Sequence, residues 1–159
     1  MSEVKYSLDQ SSKVATFVMD TAGPVNTIGQ RFLSDMERAI ERARLDKVRG
    51  VIIVSGKKKS FLDGANLKEI ITDATPAVIR HVTLRYQESL AALAKSPSPV
   101  VALLDGQTAL GGGFELLLWG CDHVFSTASS RMGLPEVNVG LFPAGGGTQA
   151  LPKVIGFKA

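Results

Sequence analysis

The sequence predicts an α/β domain, and three observations predict it. Two apolar runs, Gly50–Ser55 and residues 99–105, are continuous and bounded by turn residues, the pattern of strands buried on both faces. An amphipathic helix lies between them, and another precedes them. Strand and helix therefore alternate, the order of a βαβ architecture. At 159 residues the chain fits one domain, residues 1–159.

Taken in order, Val4, Tyr6 and Leu8 alternate with polar neighbours, and Val14–Met19 is a second apolar run; both read as strands. Residues 21–26 are rich in turn formers. Phe32, Leu33, Met36, Ile40 and Ala43 then recur at helical spacing, with Arg31, Asp35, Glu37, Arg38, Glu41 and Arg42 on other faces, to an end near Asp46. After the strand at 50–55, Thr75 suits an N-cap and Pro76 the first helical position. Ile79, Val82, Tyr86, Leu90 and Leu93 form that helix's apolar stripe, closed by Ser96-Pro97. Residues 99–105 return as a strand, and residues 145–155 open a short helix. No sequence repeat or dividing linker is visible.

Composition removes several function classes. Hydrophobic residues make up 45% and charged residues 21%, an ordinary globular balance. The single cysteine, Cys121, excludes an internal disulfide and suits a reducing compartment. The N-terminus has neither the basic-then-apolar order of a secretory signal nor the look of a transit peptide. The apolar residues 110–119 are too few to cross a bilayer. The expectation is a soluble, cytoplasmic protein with no membrane partner. Net charge is +3, and its most local feature is Lys57-Lys58-Lys59. With no aromatic interleaving and no basic stripe, nucleic acid is not an expected partner. The three lysines are either a solvated turn or neighbours of an anionic ligand.

Three glycine-rich segments stand out: residues 61–69 (FLDGANLKE), 109–115 (ALGGGFE) and 134–148, from Leu134-Pro135-Glu136 to the glycines at 145–147. They match no phosphate-binding P-loop, no G-x-G-x-x-G fingerprint and no G-x-S-x-G elbow. His81 and His123 stand alone, so no metal site is expected. A backbone donor site remains. If residues 114–119 are helical, the first N–H groups of that helix lack partners, and its dipole is positive there. Such groups stabilise a developing oxyanion. Glu115, three residues after Gly112, shares that helical face and can act as acid or base; alternatively it caps the helix while the glycines only allow close packing. Glu136, also in an apolar stretch, suggests a pair of carboxyl groups, although spacing does not show that they meet.

These residues resemble the crotonase superfamily of enoyl-CoA hydratases and isomerases. Its G-A-D/N-L-K-E, A-L-G-G-G-x-E and P-E-x-x-x-G-x-x-P…G-G-T-Q segments match residues 64–69, 109–115 and 135–149 in order, and Pro24-Val25-Asn26-Thr27 resembles an early loop of the family. Residues 135–141 and 147–152 are also similar to the hydratase region of fatty acid oxidation complex alpha subunits. The resemblance implies a crotonase-like spiral of ββα units with the C-terminal helical part missing. It implies an oxyanion hole from the N–H groups of Ala65 and Gly112, and substrate-binding positions at Gly64, Asn66, Lys68 and Gly111. Glu115 would orient and deprotonate water at Cβ, and Glu136 would exchange the proton at Cα. The implied reaction is hydration of a 2-trans-enoyl-CoA to the 3-hydroxyacyl-CoA in fatty acid β-oxidation. Delta isomerisation, another crotonase reaction, or a truncated fragment that binds acyl-CoA without turnover are the alternatives. Coenzyme A belongs to the substrate, and no separate cofactor is expected. The full-length form would be a homotrimer or a dimer of trimers.

Three positions depart from the pattern. Asp63 stands where a small residue is commoner and Asn66 where Asp is commoner. Ala144 replaces the usual glycine and would be strained if that site needs positive φ.

Overall fold

The N-terminal strands β1 (Val4–Leu8) and β2 (Val14–Met19) pair antiparallel, with Val4 opposite Met19 and Leu8 opposite Ala15. In the computed structural model, which describes residues 2–72 and 75–156 without the side chains of 70–72, they start a five-stranded sheet. Its order is β1-β2-β3-β5-β7, with β3 Gly50–Ser55, β5 Val100–Leu104 and β7 His123–Ser126. All pairs after the first are parallel. A second sheet, three short parallel strands, runs β4 (Ser60–Leu62), β6 (Thr108–Leu110) and β8 (Arg131–Gly133).

Three times the chain lays one strand in the first sheet, the next in the second, and returns by helix. The returns are α2 (Leu67–Thr72) with α3 (Pro76–Ala94), then α4 (Gly112–Trp119), then a 3₁₀ turn (Glu136–Val139) with α5 (Gly147–Ile155). This is the ββα spiral that the resemblance implies. The repeat is invisible in sequence because its helices differ in length and its second strands have only three residues each, too few for a period to register.

The preceding helix, α1 (Gln30–Leu45), buries Phe32, Leu33, Met36, Ala39 and Ala43 against the sheet. Its polar pattern hides one exception. Asp35, expected on another face, is 2% exposed; it accepts the Glu3 N–H at 2.6 Å and pairs with Arg38. The start of α3 is as expected: Thr75 Oγ1 accepts the Val78 N–H at 3.3 Å, ahead of Pro76. Its stripe is shorter than expected. Tyr86, Leu90 and Leu93 are buried, while Ile79 is exposed. No described helix is long and apolar enough to cross a membrane.

Candidate active site

The three glycine-rich segments meet because the second sheet is parallel. Leu62 pairs with Ala109, and Leu110 with Gly133. Three successive strand ends therefore deliver residues 63–66, 111–115 and 134–136 to one edge, the usual place for a site in parallel α/β structure.

The first segment turns at Gly64, whose φ is +85°. A methyl group there would make only ordinary contacts, 3.4 Å from Leu110 O and 3.8 Å from Gly112 N, so it is the left-handed backbone that calls for glycine. Ala65 follows as an isolated parallel bridge to Ile28. The bridge consists of Ile28 N–H to Gly64 O and Asn66 N–H to Ile28 O, both 2.8 Å. In a parallel ladder such bonds come from the flanking residues, which turns the N–H of Ala65 itself away from Ile28. Gly112, the first residue of α4, has an N–H with no acceptor in its own helix.

Glu115 lies in the first turn of α4 and is 2% exposed. Its Oε2 accepts the Gly145 N–H at 3.0 Å and its Oε1 the Gly147 N–H at 2.7 Å. Gly146 and Gly147 open α5, so Glu115 caps that helix and not its own. Burial pushes its carboxyl group above the ordinary 4.5; the Gly147 N–H pulls it back, and the charge of Glu136 pushes it up again.

Glu136 begins the 3₁₀ turn after β8. The Gly111 N–H donates to Gly133 O at 2.9 Å, drawing this turn against the start of α4. A methyl at Gly111 would stand 3.0 Å from Glu136 Oε1. Glu136 Oε2 is buried and has no hydrogen-bond partner among the described residues. Such an oxygen has an acceptor position to offer a ligand or water.

The remaining expected residues divide. Gly64 and Gly111 sit at the centre of the cluster. Asn66 donates Nδ2–H to Glu69 Oε1 at 2.8 Å, and Glu69 Oε2 accepts the Gln30 N–H at 3.2 Å. An aspartate at 66 would set two carboxylates together, which gives the departure at Asn66 a local reason. Lys68 is exposed on α2. Lys57 is paired with Asp20 at 2.8 Å, leaving Lys58 and Lys59 exposed. Asp63 Oδ1 is buried without a partner among the described residues. Ala144 is not strained: the only non-glycine residues described at positive φ are Lys13 and Lys47.

Two features escaped the sequence. The glycines at 145–147 supply the donors that hold Glu115, a role their segment did not reveal. Tyr86, read only as an apolar stripe residue, donates its hydroxyl to Gly112 O beneath the donor turn. Burial first, and then the charge of Glu115, raise its pKa well above the ordinary 10. A tyrosine amid a core stripe was the available signal, since its hydroxyl needs a partner when buried.

Comparisons with known proteins bear on the family and the fold. Residues 9–159 match the family described as enoyl-CoA hydratase/isomerase. The alpha subunit of the fatty acid oxidation complex from Shewanella loihica is 39% identical over 147 residues, covering 90% of this chain and 20% of the subunit. The Shewanella halifaxensis subunit is 38% identical over 152 residues, with the same coverage. Among solved structures, enoyl-CoA hydratase from Bacillus anthracis superposes with a TM-score of 0.87 at 26% identity, covering 98% of this chain and 59% of that one. DspI from Pseudomonas aeruginosa gives 0.86 at 29% identity, covering 98% and 62%. The chain thus spans a fifth of the curated relatives' length.

Proposed function

The chain belongs to the enoyl-CoA hydratase/isomerase family, and on that premise we propose that its site hydrates a 2-trans-enoyl-CoA to the 3-hydroxyacyl-CoA, a step of fatty acid β-oxidation. The observation that carries this reading is a pair of carboxyl groups at one edge of the second sheet, Glu115 held by two backbone N–H groups and Glu136 with a buried oxygen that has no partner among the described residues.

The thioester carbonyl oxygen takes hydrogen bonds from the N–H groups of Ala65 and Gly112. The α4 dipole favours the negative charge that grows there as the enolate forms. Glu115, fixed by the Gly145 and Gly147 N–H groups, holds a water molecule and accepts its proton as the oxygen bonds to Cβ. Glu136 delivers a proton to Cα, and the carbonyl reforms. The proton left on Glu115 returns to solvent or to Glu136, which resets the pair. Gly64, Asn66 and Gly111 shape the turn that meets the substrate. Lys68, with the exposed Lys58 and Lys59, would face the phosphates of coenzyme A.

Loss of the conjugated absorbance of a short 2-enoyl-CoA tests the reaction. The reading expects turnover that collapses in both Glu115→Gln and Glu136→Gln. A shift of the double bond without water addition would assign delta isomerisation in its place. Binding of acyl-CoA with neither reaction would leave an acyl-CoA-binding protein. For the lysines, Lys58→Ala/Lys59→Ala should weaken coenzyme A binding at low salt; unchanged affinity would remove them from the phosphate site.

A further inference from the structure

We propose that Asn26, which lies outside the reacting centre, is the positioning residue that fixes the Ala65 donor relative to the Gly112 donor. The proposal rests on the oxyanion reading above. Asn26 is completely buried, and its amide is saturated. Oδ1 accepts the Thr21 N–H at 2.9 Å. Nδ2–H is shared among Met19 O at 3.1 Å, Ser55 Oγ at 2.9 Å and Phe61 O at 2.9 Å. One side chain thereby ties the ends of β2 and β3 to β4. A buried amide has these bonds or leaves several polar groups unpaired, so the chain is held firmly at this point.

From that anchor, residues 26–28 run beside residues 61–66 as a hydrogen-bonded strip. The Asn26 N–H donates to Ser60 Oγ at 3.1 Å, and the Asp63 N–H donates to Asn26 O at 2.9 Å. The two 2.8 Å bonds of Ile28 follow, one on either side of Ala65. The same residue reaches the second donor with its side chain: a methyl at Gly112 would stand 2.5 Å from Ile28 Cδ1. Ile28 thus holds Ala65 by its backbone and packs on Gly112 with its side chain. Asn26 sets where Ile28 sits.

The test uses an aromatic, cinnamoyl-type enoyl-CoA, whose absorbance moves to longer wavelength when its carbonyl is polarised. It is bound to the chain, to Asn26→Asp and to Ile28→Val. Asn26→Asp keeps the shape and the acceptor but loses the Nδ2 donors; Ile28→Val keeps the strip and removes only Cδ1. Thermal unfolding confirms which variants fold. The proposal expects a red shift in wild type that shrinks in Ile28→Val and is largely lost in folded Asn26→Asp. It expects kcat for hydration to fall about 10²-fold in Asn26→Asp with KM little changed, as for misplaced catalytic groups. If Asn26→Asp does not fold, Ser55→Ala, which removes one acceptor of the Asn26 Nδ2 group, takes its place, and its red shift should shrink. A full wild-type shift in the folded variants overturns the proposal while leaving the oxyanion reading intact. Wild type that binds the probe without any shift overturns both.

Discussion

Glu115 and Glu136 are both acidic residues in glycine-rich, apolar surroundings, yet their environments are opposite. Glu115 is held by two N–H groups at the start of α5, which leave its oxygens little freedom. Glu136 rests against Gly111 at the start of α4 and keeps a buried oxygen without a partner among the described residues. A carboxylate clamped at both oxygens is suited to holding a water in one orientation. One with a spare oxygen is suited to taking and giving a proton at a substrate carbon. On the proposed hydration reading this contrast gives the pair a division of labour, set by which helix start each group faces.

The largest expected effect is on turnover. Glu136→Gln should lower the hydration rate about 10²–10⁴-fold, the usual contribution of a general acid or base. It should leave the melting temperature nearly unchanged, because its buried oxygen has no partner among the described residues to lose. Steady-state kinetics with thermal unfolding check both parts. Next comes Gly145→Ala. Its methyl would stand 2.8 Å from Glu115 Cδ and 2.9 Å from Tyr86 Cε1. Overpacking of this kind costs about 1–3 kcal/mol, and denaturant unfolding measures it. Hydration should fall as well, since Glu115 must move. Tyr86→Phe is smaller: losing the bond to Gly112 O should cost about 1 kcal/mol of stability.

The pH dependence sharpens the contrast further. Glu115 is raised above 4.5 in the folded protein. Between that value and its folded pKa the folded state keeps a proton that the unfolded state has released. Its contribution to stability is therefore complete below 4.5 and is lost as pH rises through the folded pKa. Stability measured against pH should lose this slope in Glu115→Gln. In Glu136→Gln the slope should move to lower pH, because the charge of Glu136 is one of its causes.

Much of this was legible in the residues. Continuous apolar runs marked β3 and β5, because strands covered on both faces leave no polar positions. Thr75-Pro76 marked the start of α3 through capping chemistry. The glycines at 111–113 marked a helix start with open donors, and Glu115 stood beside them. The second sheet was not legible, since strands as short as Ser60–Leu62 carry no period. The meeting of Glu115 with Gly145 and Gly147 depends on the packing of α4 against α5, thirty residues away along the chain. Asp35 misled for a related reason: its burial is set by the Glu3 N–H, a partner remote in sequence.

The most direct test of the divided pair is exchange of the Cα protons of a saturated acyl-CoA in D₂O, followed by proton NMR. No water adds to such a ligand, so only the Cα-proton step is read. Divided roles require exchange in wild type, exchange that persists in Glu115→Gln, and none in Glu136→Gln. Exchange that survives Glu136→Gln but vanishes in Glu115→Gln would contradict it and reverse the two roles.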